Sequence, residues 1–371
     1  MEKLKTISSL PSERDRWWQE SALAVLSPLL AILLGLLIGG IVLTVSGYNP
    51  IDGYKAMWEG AFGSARVFSE VLIKATPLIL IGAGIAVAFR CGVWNIGAEG
   101  QFYAGAIAAT WVGITLKSLP AGVLIPLVLL AGFVGGGFLA IIPGWLKIRL
   151  KINEVVMTIM LNYIMLGITS YLVTGPMQEQ AHIFPQTDEI VPAARLPMIW
   201  PGTRLHVGFI IALLVAVIAA VVLFRTPLGY AIRTVGLNPE TARYAGIHVN
   251  RNIILAMLMS GGAAGIGGAV EVAGLAWRLF ATISPGYGYD GIAVSLLAYN
   301  NPLYTIFSGF LFGALRASSE LMQMNAQIPS VLFQIIQGVI IAFVMIFGVL
   351  RMRADRLRQR RTRKPALSTG K

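Results

Sequence analysis

The sequence predicts an all-α fold, a polytopic membrane helix bundle of about ten segments with both termini cytoplasmic and a short broken hairpin near residues 290–316. Hydrophobic residues make up 56% of the chain and charged residues only 12%, about half of what a soluble domain carries to keep its surface wet. The apolar residues fall into stretches close to the roughly 20 residues that a bilayer-crossing helix requires. Backbone groups in lipid must bond internally, so these stretches are read as helices.

Residues 1–21 read as a polar cytoplasmic segment. The apolar run 22–45 is longer than a signal-peptide core and lacks a small-x-small cleavage site, so it is expected to stay as the first span. Further spans are expected at 71–89, 96–116, 121–145, 155–174, 207–224 and 253–276. Three weaker segments follow at 291–299, 303–315 and 330–350. The first of these is too short to cross, and Asn300-Asn301-Pro302 breaks it from the second. The two read as a hairpin of short or partial spans whose backbone faces protein or a cavity. The membrane domain thus covers 22–350, with an outer loop at 175–206 and a cytoplasmic loop at 225–252, and a basic tail occupies 351–371. Within the spans, the pairs Gly35/Gly39, Gly132/Gly136 and Gly261/Gly265 have the spacing that lets helix backbones approach closely.

The net charge of +12 is concentrated rather than spread, since nine of the 29 Lys and Arg follow residue 350. A basic tail directly after an apolar span suits anionic lipid, at about 1 kcal/mol per residue, so the expected partner is the bilayer and not nucleic acid. With the N-terminus inside, 21 of the 29 basic residues fall in the cytoplasm, and an odd number of segments would move the tail outside. Cys91 stands alone, and His182, His206 and His248 are scattered, so neither a disulfide nor a metal cluster is expected. The chain has no phosphate-binding loop and no Gly-x-Ser-x-Gly elbow. It is therefore read as a non-enzyme with no cofactor bound directly; ATP, if it drives the protein, must bind another chain.

Three polar islands remain. The stretch from Arg90 to Gln101 puts Asn95, Glu99 and Gln101 at the start of a span, either as a wall of an internal path or subunit contact, or as helix capping with Glu99 near the positive helix end. In the stretch from Lys151 to Tyr163, Asn153 caps the fifth span and Glu154 lies in its first turn. Asn162 sits deeper and needs a hydrogen-bond partner, more readily from another helix than from a solute. The third island, from Thr226 to Ile247, contains a short helix outside the membrane, with Asn238 as N-cap, Pro239 in the first position, Glu240 against the dipole and Gly246 past the end. Arg233 and Arg243 around Tyr244 and Ala245 suit docking into a groove on a cytosolic partner, although such a helix can also serve stability alone.

These islands, together with Gly286-Tyr-Gly-Tyr-Asp-Gly-Ile-Ala-Val294, resemble the permease subunits of bacterial nucleoside and simple-sugar ABC importers, over nearly all of 22–350. The resemblance implies a pair of permease subunits, the second being a different chain, and two ATP-binding subunits that carry ATP-Mg. It also implies an extracytoplasmic solute-binding protein and the cytoplasmic (inner) membrane of a bacterium. By that likeness Gly229, Arg233, Asn238, Pro239, Glu240, Arg243 and Gly246 belong to the element coupled to the ATPase. Asn95, Glu99, Gln101, Asn153, Glu154, Asn162 and Asp290 would line or brace the path or make a subunit contact, although Asp290 has the alternative of capping the segment after it. The proline-bearing outer loop would be a platform for the delivering protein. The competing reading is an ion-coupled secondary transporter of a small polar solute, which places carboxylates or broken helices near mid-membrane.

Overall fold

A computed structural model of the chain describes residues 30, 33–329, 331, 332, 334–340, 342, 343 and 346. The expected N-terminal segment 1–21 and the basic tail 351–371 lie outside the described residues. The chain divides into two compact units, Met1–Tyr54 with Gln327–Lys371, and Lys55–Ala326.

In the first unit, helix α1 (Leu33–Val45) is apolar. Side chains added at Gly35 and Gly39 would press into Ile340 and Ile336, so this glycine pair serves close packing within the unit. The Tyr54 hydroxyl donates to the Leu36 carbonyl.

The second unit is helical throughout its regular structure, and among the described residues only isolated bridges, Gln186 with Phe280 and Met198 with His206, have β character. Helix α2 (Pro50–Phe62) begins in the first unit and ends in the second. It is followed by α3 (Ala65–Arg90), α4 (Ala98–Thr115), α5 (Ala121–Leu150), α6 (Glu154–Thr174), α7 (Gly208–Arg225), α8 (Pro227–Leu237), α9 (Pro239–Tyr244), α10 (Val249–Glu271), α11 (Tyr287–Leu297) and α12 (Thr305–Ala326). A π-helical turn, Val272–Ala276, prolongs α10.

Five of these helices, α3, α5, α6, α7 and α10 with its π turn, are long and apolar enough to cross a membrane. Helices α3 and α10 form the interior, with 89% and 72% of their most apolar windows buried, against 22–33% for α5, α6 and α7. The interior is tight because glycines let backbones touch. A Cβ on Gly265 would overlap the Gly132 carbonyl, and one on Gly136 would overlap that of Gly261, so α5 and α10 meet backbone to backbone.

The structure corrects the hairpin expected near 290–316. Its first arm is short, as α11 has 11 residues, but its second arm, α12, is a 22-residue helix. Arg316 and the serines after it made the apolar run look finished at 315, whereas the Arg316 charge is met internally by Asp290. Helix α2 was not anticipated, because Asp52, Lys55 and Glu59 interrupt its apolar residues. It packs through Trp58 and Phe62 beside Phe310, and Ser318 Oγ donates to the Met57 carbonyl at 2.8 Å.

Candidate functional site

The non-helical segment before α4 and the start of that helix hold a closed set of polar contacts. Asn95 and Gln101 pair through both amides, Asn95 Nδ2 donating to Gln101 Oε1 at 2.8 Å and Gln101 Nε2 to Asn95 Oδ1 at 2.9 Å. Asn95 Nδ2 also donates to Ser260 Oγ of α10 at 2.9 Å. Gly97, not Asn95, holds the cap position of α4, and Asn95 Oδ1 accepts from its N–H. Asn162 of α6 accepts from the Gly100 N–H at 2.8 Å and donates to the Ile96 carbonyl at 3.0 Å. Glu99 accepts from the Gly288 N–H at 2.6 Å, in the first turn of α11. A Cβ on Gly288 would overlap the Glu99 backbone, so only glycine allows this approach. The carboxylate thus faces the positive ends of α4 and α11 together. Asn95, Glu99, Gln101 and Asn162 are all at most 3% exposed.

Asp290 does not cap α11. Gly286 (φ +99°) holds that position, and Ser284 Oγ accepts from the Gly286 and Tyr287 N–H groups. Asp290 instead pairs with Arg316 of α12 at 2.6 Å, and that guanidinium stacks over the Tyr287 ring at 5.0 Å. Arg316 escaped the reading of the sequence; its only signal there is an arginine within an otherwise apolar run. At the other end of α11, Arg90 donates to the carbonyls of Asn300 at 2.9 Å and Tyr299 at 3.0 Å. A cation there meets the negative end of the helix.

Asn153 and Glu154 do not join this cluster. Asn153 caps α6 by accepting from the Val155 N–H, and Glu154 forms an ion pair with Lys147 at the end of α5.

On the loop after α7, Thr226 caps α8 and Asn238 caps α9, accepting from Glu240 and Thr241 N–H groups. Gly229 is buried where a Cβ would overlap the Val222 and Leu223 carbonyls, and Arg233 stacks on Phe224 at 5.4 Å, so both serve the loop's own packing. Asn238, Pro239, Glu240, Arg243 and Gly246 are exposed, flanked by Leu237 and Tyr244 at 88% and 94% exposure. Gly246 (φ +78°) turns the chain toward α10.

The outer loop is fastened to the segment after α10. Ile190 N–H donates to the Trp277 carbonyl at 2.8 Å and Leu196 N–H to that of Ala273 at 2.9 Å. Glu189 bridges Arg195 and Arg278, and Arg195 lies over the Trp277 ring at 4.5 Å. Hydrogen bonds, from Arg278 to Glu189 and from Gln186 to Glu179, hold both carboxyls below the usual range. His206, at the end of the loop, is packed against Gly208 and Gly274, and burial lowers its pKa to about 4.

Residues 67–348 match the family described as "Branched-chain amino acid transport system / permease component". The chain belongs to this permease family. The permease is 38% identical, over 91% of its length and 97% of the relative's, to a guanosine ABC transporter permease protein of Bacillus subtilis. It is 37% identical to a nucleoside ABC transporter permease protein of Lactococcus lactis, over 88% of its own length and 92% of that chain. A glucose ABC transporter permease protein of Haloferax volcanii is 35% identical over 87% of each chain. The permease is therefore a multi-pass membrane protein of the ABC importer type.

Proposed function

We propose that the permease forms one half of the translocation path of an importer for nucleosides, or for simple sugars, in the bacterial cytoplasmic membrane. A second, different permease chain supplies the other half, an extracytoplasmic binding protein delivers solute to the outer loop, and two partner subunits bind ATP-Mg. Ten segments, with both termini inside, put α8 and α9 on the cytoplasmic face. The nucleoside assignment draws on the guanosine and nucleoside relatives.

The observation that carries the coupling reading is the tip from Leu237 to Tyr244, which leaves a leucine and a tyrosine almost wholly uncovered beside a capped helix. Exposed large apolar side chains on a rigid, polar-flanked element suit a groove on a partner. The polar residues of the interior have the opposite character, since Asn95, Gln101 and Asn162 are engaged by the chain itself and brace the path.

The test is uptake by proteoliposomes holding the whole transporter with ATP inside. Guanosine uptake is expected to require ATP and to survive an ionophore. An Asn238→Ala, Glu240→Ala double variant is expected to lose at least about tenfold of it, with a Tm close to that of the parent. Full uptake by the double variant refutes the coupling assignment, and loss with the ionophore refutes the ATP-driven reading in favour of ion coupling.

A further inference from the structure

Glu271 is the one carboxylate of α10 and is 8% exposed, near the point where the helix loosens into its π turn. An ionisable side chain inside a span is unfavourable and is retained where it serves a function. Unlike Glu99 and Asp290, Glu271 accepts a hydrogen bond from no other described residue. Among the described residues, Arg195 Nε is the only fully sealed side-chain nitrogen or oxygen without a partner. The Glu271 oxygens are therefore not fully sealed by this chain. Lys74 of α3, Arg316 of α12 and Arg204 act on Glu271 electrostatically and offset its charge. Arg316 links this position to Tyr287 and Asp290, and so to the polar cluster at the start of α11. One turn earlier on α10, a Cβ added at Gly267 would meet Phe102 and Ile81 at ordinary contact distance.

We propose that Glu271 is a solute-binding residue of the translocation path, its two carboxylate oxygens accepting hydrogen bonds from neighbouring hydroxyls of a vicinal diol. The inference rests on the transport function proposed above and narrows the chemistry it recognises. Nucleosides and simple sugars share few groups, and the adjacent hydroxyl pair of a ribose or a hexose is one of them. A carboxylate can take two O–H donors at once. A charge-balancing role alone predicts direct bonding to one of the cations, as Asp290 shows with Arg316, and Glu271 has no such bond.

Two measurements separate this inference from the function it rests on. Proteoliposome uptake of guanosine tests the function. Equilibrium binding of labelled guanosine and 2′,3′-dideoxyguanosine to the detergent-purified transporter, without the binding protein, tests Glu271. The parent is expected to favour guanosine by at least about tenfold, Glu271→Gln to bring that ratio near one, and Glu271→Asp to fall between them. The aspartate variant keeps a carboxylate if the glutamine variant does not assemble. A parent that fails to discriminate, or variants that keep the parent ratio, overturn the role of Glu271 even where uptake is intact. Absence of guanosine uptake by the parent counts against the function itself.

Discussion

Asn162 reaches across from α6 to bond both a carbonyl before α4 and an N–H within it, so one amide fixes where the helix begins. Its need for a partner was readable from its depth in an apolar run, but the identity of the partner was not. Ile96 lies 66 residues away, and Ser260 lies 165 residues from Asn95, so both pairings exist only through tertiary packing. Histidine 206 illustrates the same limit. In the sequence it is one of three scattered histidines, yet the fold closes Gly208 and Gly274 around its ring, and Nδ1 accepts from the Gly208 N–H at 3.2 Å. The ring is thus neutral with its proton on Nε2. Its pKa falls from 6.5 to about 4 on folding, so an unfolded chain takes up this proton before a folded one does. The stability linked to His206 is complete above about pH 6.5 and is lost as pH falls toward about 4, by up to about 3 kcal/mol. A His206→Gln variant is expected to start from a lower Tm, but to lose less Tm than the parent between about pH 7.5 and pH 5. Equal slopes for the two proteins refute this account.

At the scale of elements, hydropathy located the long helices well, since α3, α5, α6, α7 and α10 each overlap an expected span. It failed where charged residues interrupt an apolar run. Arg316 divides α12 and three charges mask α2, yet the fold meets Arg316 with Asp290, just as it meets Glu99 and Gln101 in α4, which the expected span 96–116 did locate. The site was legible as islands of polar residues, and depth along the span set Asn162 apart from Asn153 and Glu154, whereas the partners that join Asn162 to Gly100 and Asn95 to Ser260 were not legible. Helix α11 yields a prediction of its own. With 11 residues it is about 16 Å long, half of a hydrocarbon core, and both its ends are met by charge, Glu99 at one and Arg90 at the other. Two charge-assisted bonds are lost in Arg90→Met, which is expected to destabilise the protein by roughly 2–3 kcal/mol. Hydrogen exchange over residues 294–300 is expected to speed up at least about tenfold in that variant. Exchange unchanged there means that α11 holds its end without Arg90.

For the whole molecule, the question is which outward surface meets lipid and which meets another chain. Beside its exposed aliphatic Val156, Met160, Ile164 and Ile168, helix α6 presents one outward row with the same spacing as that of α7 but different chemistry. On α7 the exposed positions include Ile210, Leu214, Val217, Ile218 and Val221, all aliphatic. On α6 the corresponding row is Tyr163, Gly167, Ser170, Tyr171 and Thr174, all exposed. Tyr163 lies nine residues beyond Glu154, about 14 Å along a helix of 21 residues, too deep for an interfacial aromatic belt. A phenol facing hydrocarbon at that depth lacks a partner for its hydroxyl, and small and hydroxylated residues mark helix contacts rather than lipid faces. An added Cβ at Gly167 meets nothing within this chain, so the space is open to a neighbour. Gly167→Trp is therefore expected to cut recovery of the second permease chain proposed above by about tenfold, while Leu214→Trp, on the lipid-like face of α7, leaves recovery at the parent level. Equal recovery for both variants means that α6 faces lipid and that the partner covers a different surface.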